Sequence, residues 1–190
     1  MGAGLDGIAD RTIVLVGLMG AGKTTVGRRL AARLQRPFLD ADAEIERAAG
    51  CAIAEFFRTR GEAAFREGEV KVIARLLDGP PAVLATGGGA YMAPETRTRI
   101  HERGVAVWLR ADRPVLETRL GRRGRHKRPL IADGDLGATL DRLIRERYPV
   151  YAQADITVES VDGPHDAVVD TIVAALRSWT PPCVGAERRA

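Results

Sequence analysis

A chain of 190 residues with 45% hydrophobic and 28% charged content suits one globular domain, and no apolar run approaches the roughly 20 residues a membrane helix needs. Its net charge of +4 is local: residues 119–128 hold six basic side chains and no acid, and outside them 23 basic residues face 25 acidic ones. That distribution argues against a nucleic-acid-binding face and favours a segment that closes on a polyanion.

Residues 1–11 lack the apolar core of a signal peptide. Gly2 is followed by Asp6 where a myristoylation signal requires Ser or Thr, so no lipid anchor is expected. Cys51 and Cys183 match no metal or redox spacing and suit reduced thiols in a cytoplasmic protein. His101, His126 and His165 form no metal-ligand pattern.

The first strong element is Thr12-Ile13-Val14-Leu15-Val16, a β-branched run that predicts a buried strand. Gly17-Leu-Met-Gly-Ala-Gly-Lys-Thr24 follows and fits the phosphate-binding loop G-x-x-x-x-G-K-[ST]. In such a loop the glycines let successive backbone N–H groups turn inward around the β-phosphate. Lys23 would reach the β- and γ-phosphates, and the Thr24 hydroxyl would ligate Mg²⁺. Gly20, Ala21, Gly22, Lys23, Thr24 and Thr25 are therefore candidate ATP-binding residues. Only three of the 29 basic residues are lysines, Lys23, Lys71 and Lys127, yet the loop position that needs a compact ammonium holds Lys. Val26, Leu30 and Leu34 then recur at helical spacing.

Pro37 to Asp40 reads as a second short strand, ending in Asp40-Ala41-Asp42. If that segment is extended, the two carboxylates point to one side, beside the phosphate loop. One could hold Mg²⁺ through water, and the other could orient or deprotonate an attacking hydroxyl. An Asp pair before a helix can also serve as an N-cap. Helices are predicted over 41–49 and 62–78, with Pro80-Pro81 ending the second. Ala82 to Ala85 is a third strand, and Thr86-Gly87-Gly88-Gly89 lets backbone come close to a ligand.

A helix near 94–103, a strand over 105–109 and a helix near 112–120 lead into the Arg-rich segment. Residues 136–148 read as helix, with Pro149 limiting the end. Residues 155–158 form a fifth strand. A last helix over 164–177 has the apolar stripe Ala167, Val168, Ile172, Ala175 and Leu176. Strands alternating with helices predict a parallel α/β sheet, with ligands at the carboxyl ends of its strands.

The ordered series Gly17 to Thr24, Asp40-Ala41-Asp42, Gly61-Glu62 with Phe65-Arg66, Thr86 to Gly89, Arg128-Pro129-Leu130 and Arg147-Tyr148-Pro149-Val150-Tyr151 resembles the shikimate kinase family. The phosphate loop is shared by many families; the rest of the series is far more specific. The resemblance spans about residues 11–177.

It implies an α/β fold similar to the nucleoside monophosphate kinases: a three-layer P-loop NTPase with a five-stranded parallel sheet flanked by helices, a substrate-binding helical region and an Arg-rich lid. The chain would be one kinase domain over 1–190, with its core about 11–177, its lid about 121–135 and a flexible tail over 178–190. The implied reaction is ATP-dependent, Mg²⁺-assisted phosphorylation of the shikimate 3-hydroxyl, a step of aromatic amino-acid biosynthesis. By the same resemblance Lys23, Asp42 and Arg128 are the catalytic set. Asp42 would bond the acceptor hydroxyls and stand as candidate base, and Asp40 would assist Mg²⁺ with Thr24. Arg66 and Arg147 would bind the acceptor carboxylate, with backbone contacts from Gly88 and Gly89. Arg128 would sit on the lid and approach the transferring phosphate or the substrate. Arg119, Arg122 and Arg123 all compete for the place beside the adenine.

Arg forks suit a carboxylate, and Asp suits vicinal hydroxyls. These features favour a hydroxylated acid over a nucleotide as acceptor, and the motif order favours shikimate over gluconate. A non-catalytic nucleotide switch would not need a separate acceptor site. The expected partners are ATP and shikimate, with no nucleic acid or membrane, and the expected state is a monomer.

Overall fold

The structure is a computed structural model and describes residues 6–122 and 135–181. Residues 123–134, which hold most of the expected lid with Arg123 and Arg128, and residues 182–190 of the expected tail lie outside the described residues.

Five parallel strands form one sheet in the order β2-β3-β1-β4-β5. They are β1 (Thr12–Val16), β2 (Phe38–Asp40), β3 (Val83–Ala85), β4 (Gly104–Arg110) and β5 (Ile156–Glu159). The helices are α1 (Lys23–Leu34), α2 (Ala41–Ala49), α3 (Ile53–Leu77), α4 (Pro94–Arg103), α5 (Arg113–Arg122), α6 (Leu136–Tyr151) and α7 (His165–Ser178).

Every residue of β1 is buried, as its unbroken apolar run requires in a parallel sheet covered on both faces. Because β1 lies at the centre, the loop after it opens in the middle of the sheet's carboxyl edge. The loops after β2 and β3 open beside it. The side-chain hydroxyl of Thr86 donates to Leu15 O at 3.0 Å, which fastens the glycine loop to the strand that feeds the phosphate loop.

Four elements depart from the reading of the sequence, each for a local reason. The segment before Glu62 is helical as well. α3 begins at Ile53, and Gly61, at φ 79°, divides it into 53–60 and 62–77. The Phe56, Phe57 and Phe65 rings pack across that kink. Pro149 does not end α6, which runs on to Tyr151. A proline loses one helical hydrogen bond there, but Tyr148 and Tyr151 each donate a phenol hydrogen bond to another loop and hold the last turn in place. The buried stripe of α7 is Val168, Val169, Ile172, Val173 and Leu176, turned away from Ala167 toward the β-branched residues. Asp42 lies in the first turn of α2, not in extended chain.

Beyond α7, Trp179 packs partly buried against the core, with the Arg11 guanidinium 5.6 Å from its ring. Among the described residues no helix is long and apolar enough to cross a membrane.

Candidate active site

The phosphate loop is shaped by backbone before any ligand is considered. Gly20 and Gly22 have φ of 84° and 94°, a region that other residues enter only with strain. Gly22 is the N-cap of α1 and offers no side chain to the helix's first N–H groups. Those donors, together with the positive end of the helix dipole, form an anion site. Lys23 donates to Gly17 O at 2.7 Å and to Leu18 O at 2.9 Å, so the ammonium lies folded against its own loop.

Behind the loop, Ser160 donates to Ala21 O at 2.8 Å and accepts from Arg119 at 3.0 Å. Arg119 also donates to Val161 O at 2.6 Å. Of the three arginines proposed for the adenine, Arg119 thus stands beside the phosphate loop. Arg122 is the last residue of α5.

A cavity of about 130 Å³ opens in front of the loop, lined by Gly20, Lys23, Thr24, Asp40, Asp42 and Gly88 among others. Thr24 donates to Asp40 at 3.1 Å. Asp40 also caps α2 by accepting from Asp42 N at 3.2 Å, so the capping and site readings hold together. The two aspartates reach one cavity through a turn into a helix. Thr24 and Asp40 supply hard oxygen atoms, which fit Mg²⁺, an ion that takes one or two protein oxygens and keeps several waters.

The glycine loop closes the far side. A methyl group on Gly87 would meet Glu69 Oε1 at 2.8 Å and Asp42 Oδ1 at 2.9 Å. One on Gly89 would meet Arg66 Nη1 at 2.5 Å. The missing side chains let a carboxylate pair and a guanidinium press directly against the backbone. Arg147 donates to Gly88 O at 2.7 Å, and Tyr151 donates to the same oxygen.

Arg66 is held by Glu69 at 2.7 Å and Glu62 at 3.1 Å. Glu69 was not singled out from the sequence, although 62, 66 and 69 follow helical spacing. A surface ion-pair ladder would read the same way. What distinguishes Glu69 is burial: it is 2% exposed, and among the described residues its Oε1 has no hydrogen-bond partner. Burial pushes its pKa above the ordinary value, Arg66 and Arg147 pull it back, and Asp42 pushes it up again. For Arg66, burial lowers the pKa, but Glu69 and Glu62 outweigh it and the net direction is upward. The pair is asymmetric because Glu69 loses far more water than Arg66, whose side chain stays 29% exposed.

The family model for shikimate kinase matches residues 19–177. The chain belongs to the shikimate kinase family. A shikimate kinase of Paramagnetospirillum magneticum is 58% identical over 175 residues, covering 92% of this chain and 89% of that protein. One from Rhodopseudomonas palustris is 56% identical over 172 residues, covering 90% and 84%. The structure of Acinetobacter baumannii shikimate kinase in complex with shikimate superposes with a TM-score of 0.85 at 37% identity, covering 90% of this chain and 96% of that one. A gluconokinase from Sinorhizobium meliloti, at 22% identity and a TM-score of 0.56, shares the fold. The protein is therefore a kinase of the shikimate kinase family with the P-loop fold expected from the sequence.

Proposed function

We propose that this chain transfers the γ-phosphoryl group of ATP to the 3-hydroxyl of shikimate. The observation that carries the reading is that Asp42 lines the same cavity as Lys23 and Thr24, with the Arg66 and Arg147 guanidinium groups against the glycine loop at its far side. An acceptor with hydroxyls at one end and a carboxylate at the other fits between them.

The roles follow from the chemistry. The phosphate-loop N–H groups and Lys23 hold the donor, and Lys23 leaves the Gly17 and Leu18 carbonyls to stabilise charge on the γ-phosphate. Thr24 and Asp40 would hold Mg²⁺, which when bound neutralises charge on the β- and γ-phosphates. Asp42 accepts a hydrogen bond from the attacking hydroxyl, orients it and receives its proton as the new P–O bond forms. Arg66 and Arg147 grip the carboxylate, so the hydroxyl is presented in line. Arg128, outside the described residues, is assigned to the lid and the transferring phosphate, and Arg122 and Arg123 to the nucleotide. A cytoplasmic monomer needing no other partner completes the reading.

The test is ADP formation from Mg²⁺-ATP with shikimate, gluconate or AMP offered singly. Turnover with shikimate is the expected result. ADP formed equally without acceptor, or with AMP alone, overturns it.

A further inference from the structure

Gly88 is not held by its neighbours in sequence. Its carbonyl oxygen accepts two hydrogen bonds, from Arg147 at 2.7 Å and from the Tyr151 hydroxyl. Arg147 and Tyr151 stand four residues apart on α6 and so share one helix face. Both side chains therefore meet at one acceptor. Tyr151 and Arg147 thus hold the Gly88 carbonyl together, and Gly88 lines the cavity.

We propose that Tyr151 is a positioning residue for acceptor binding, fixing the Gly88–Gly89 peptide and, through the shared Gly88 oxygen, the place where the Arg147 fork is anchored. This rests on the reading of Arg147 and the glycine loop as the site of the acceptor's carboxylate end.

Three observations support it. First, an arginine side chain has many rotamers, and a fork that must meet a carboxylate in two directions needs a rigid support. Tyr151 is rigid: it is 1% exposed, with the Trp108, Tyr148 and Tyr91 rings centred 5.9, 6.3 and 6.4 Å away. Second, a carbonyl has two lone pairs, and both are used here. In a trans peptide the next N–H points opposite to the carbonyl. Holding Gly88 O against α6 therefore aims the Gly89 N–H away from α6. Third, the hydroxyl is a reliable donor. Burial raises its pKa to about 12 despite the opposing effect of Arg147, so it keeps its proton across the working pH range.

Tyr148 provides an internal control. It belongs to the same aromatic cluster, its pKa is also raised by burial, to about 12, and its hydroxyl donates to Ala111 O. That bond holds the start of α5 and touches neither Arg147 nor the glycine loop.

The experiment compares wild type, Tyr151→Phe and Tyr148→Phe in steady-state assays varying shikimate and ATP separately. Phe keeps the ring packing and removes only the hydroxyl. For Tyr151→Phe the expected result is a rise of about five- to tenfold in the shikimate KM, the size of one lost hydrogen bond, with the ATP KM within about twofold. Tyr148→Phe should leave the shikimate KM unchanged. Insertion of 2,3,5-trifluorotyrosine at position 151 keeps the ring but makes the phenol more acidic, so its hydroxyl stops donating at a lower pH. The shikimate KM of that variant should climb with pH where the wild-type KM does not, and a KM that tracks wild type overturns the proposal even if Tyr151→Phe fails to fold. An unchanged shikimate KM in Tyr151→Phe overturns the proposal, and so does an equal rise in both KM values, which marks a general structural defect. A wild-type enzyme with no shikimate-dependent turnover overturns the functional reading instead.

Discussion

The phosphate side of the cleft is written in eight consecutive residues, Gly17 to Thr24, whereas the opposite side draws Asp42, Arg66, Gly87 to Gly89 and Arg147 from four parts of the chain. The first is made of backbone donors, fixed by positive φ values and by the start of α1. The second joins charged side chains to a glycine backbone, and its two arginines are held by further groups: Arg66 by Glu69 and Glu62, and Arg147 by the Gly88 carbonyl that Tyr151 also holds. A donor site that recognises phosphate can be local and rigid. An acceptor site that recognises one small hydroxylated acid must bring separate groups together, and its precision depends on residues that touch no substrate.

The comparison breaks most visibly at Lys23. Lys23→Met removes the one side-chain charge of the phosphate loop and should reduce kcat by roughly 10²–10³-fold, the usual cost of losing a transition-state donor. The side chain is only partly buried, so the thermal midpoint should change little. A Lys23→Met enzyme within tenfold of wild type would show that the backbone alone carries the donor side.

Gly89→Ala attacks the other side without touching the first. At φ −104° and ψ −15° an alanine is conformationally permitted, so the effect comes from the methyl group against Arg66. Arg66 cannot swing away freely, because Glu62 and Glu69 hold it. The shikimate KM should rise by roughly 10-fold to 10²-fold, since small misplacements of a positioning group carry costs of that order. The ATP KM should stay constant, and a matching rise there would mean that the two sides are not separable.

Glu69→Gln tests the same side through pH. With its folded pKa raised, Glu69 keeps its proton in the native state after the unfolded chain has lost it. Native protein then binds more protons than unfolded protein, so this group's contribution to stability falls as pH rises from the ordinary glutamate range near 4.5 through the raised value. Below that range this pH-dependent cost vanishes. Denaturant titrations at a series of pH values should show this decline in wild type and a flatter profile in Glu69→Gln. Identical profiles would mean that Arg66 fully compensates the buried carboxylate. The amide oxygen can still accept from Arg66, so the shikimate KM should rise only about two- to fivefold.

Which parts could be read from the sequence follows the same division. Gly17 to Thr24 was legible because a phosphate loop is a local pattern with a fixed mechanism, and the parallel sheet was legible because β1 is apolar but for Thr12 and β4 is apolar up to Arg110, while the order of the strands was not. Arg66 and Arg147 carried no signal singly, and only their place in an ordered series marked them. Glu69 was invisible because spacing gives a helix face but not its depth. Asp42 was placed beside Asp40 for the wrong reason. Period-two alternation assumes an extended chain through residue 42, whereas α2 starts at Ala41, as its expected range of 41–49 requires, with Asp40 as its cap. The last turn of α6 was missed because Pro149 is a helix breaker by local rule, and only the tertiary anchors of Tyr148 and Tyr151 outweigh that rule.

The smallest effect expected lies behind the phosphate loop, where Ser160 joins Ala21 O to Arg119. Ser160 is 1% exposed, so Ser160→Ala removes the donor to a loop carbonyl in a place that water does not easily reach. The change should lower stability by about 1–3 kcal/mol, the range for leaving a buried polar group unpaired. It should raise the ATP KM only about two- to fivefold, because glycine dihedrals and the start of α1 still shape the loop. The shikimate KM should not move. That makes Ser160→Ala the mirror of Gly89→Ala, and paired KM measurements on the two variants decide whether the halves of this cleft are supported independently. If Ser160→Ala raised the shikimate KM as much as the ATP KM, support for the phosphate loop would also be support for the acceptor, and the division drawn between local donor and assembled acceptor would fail.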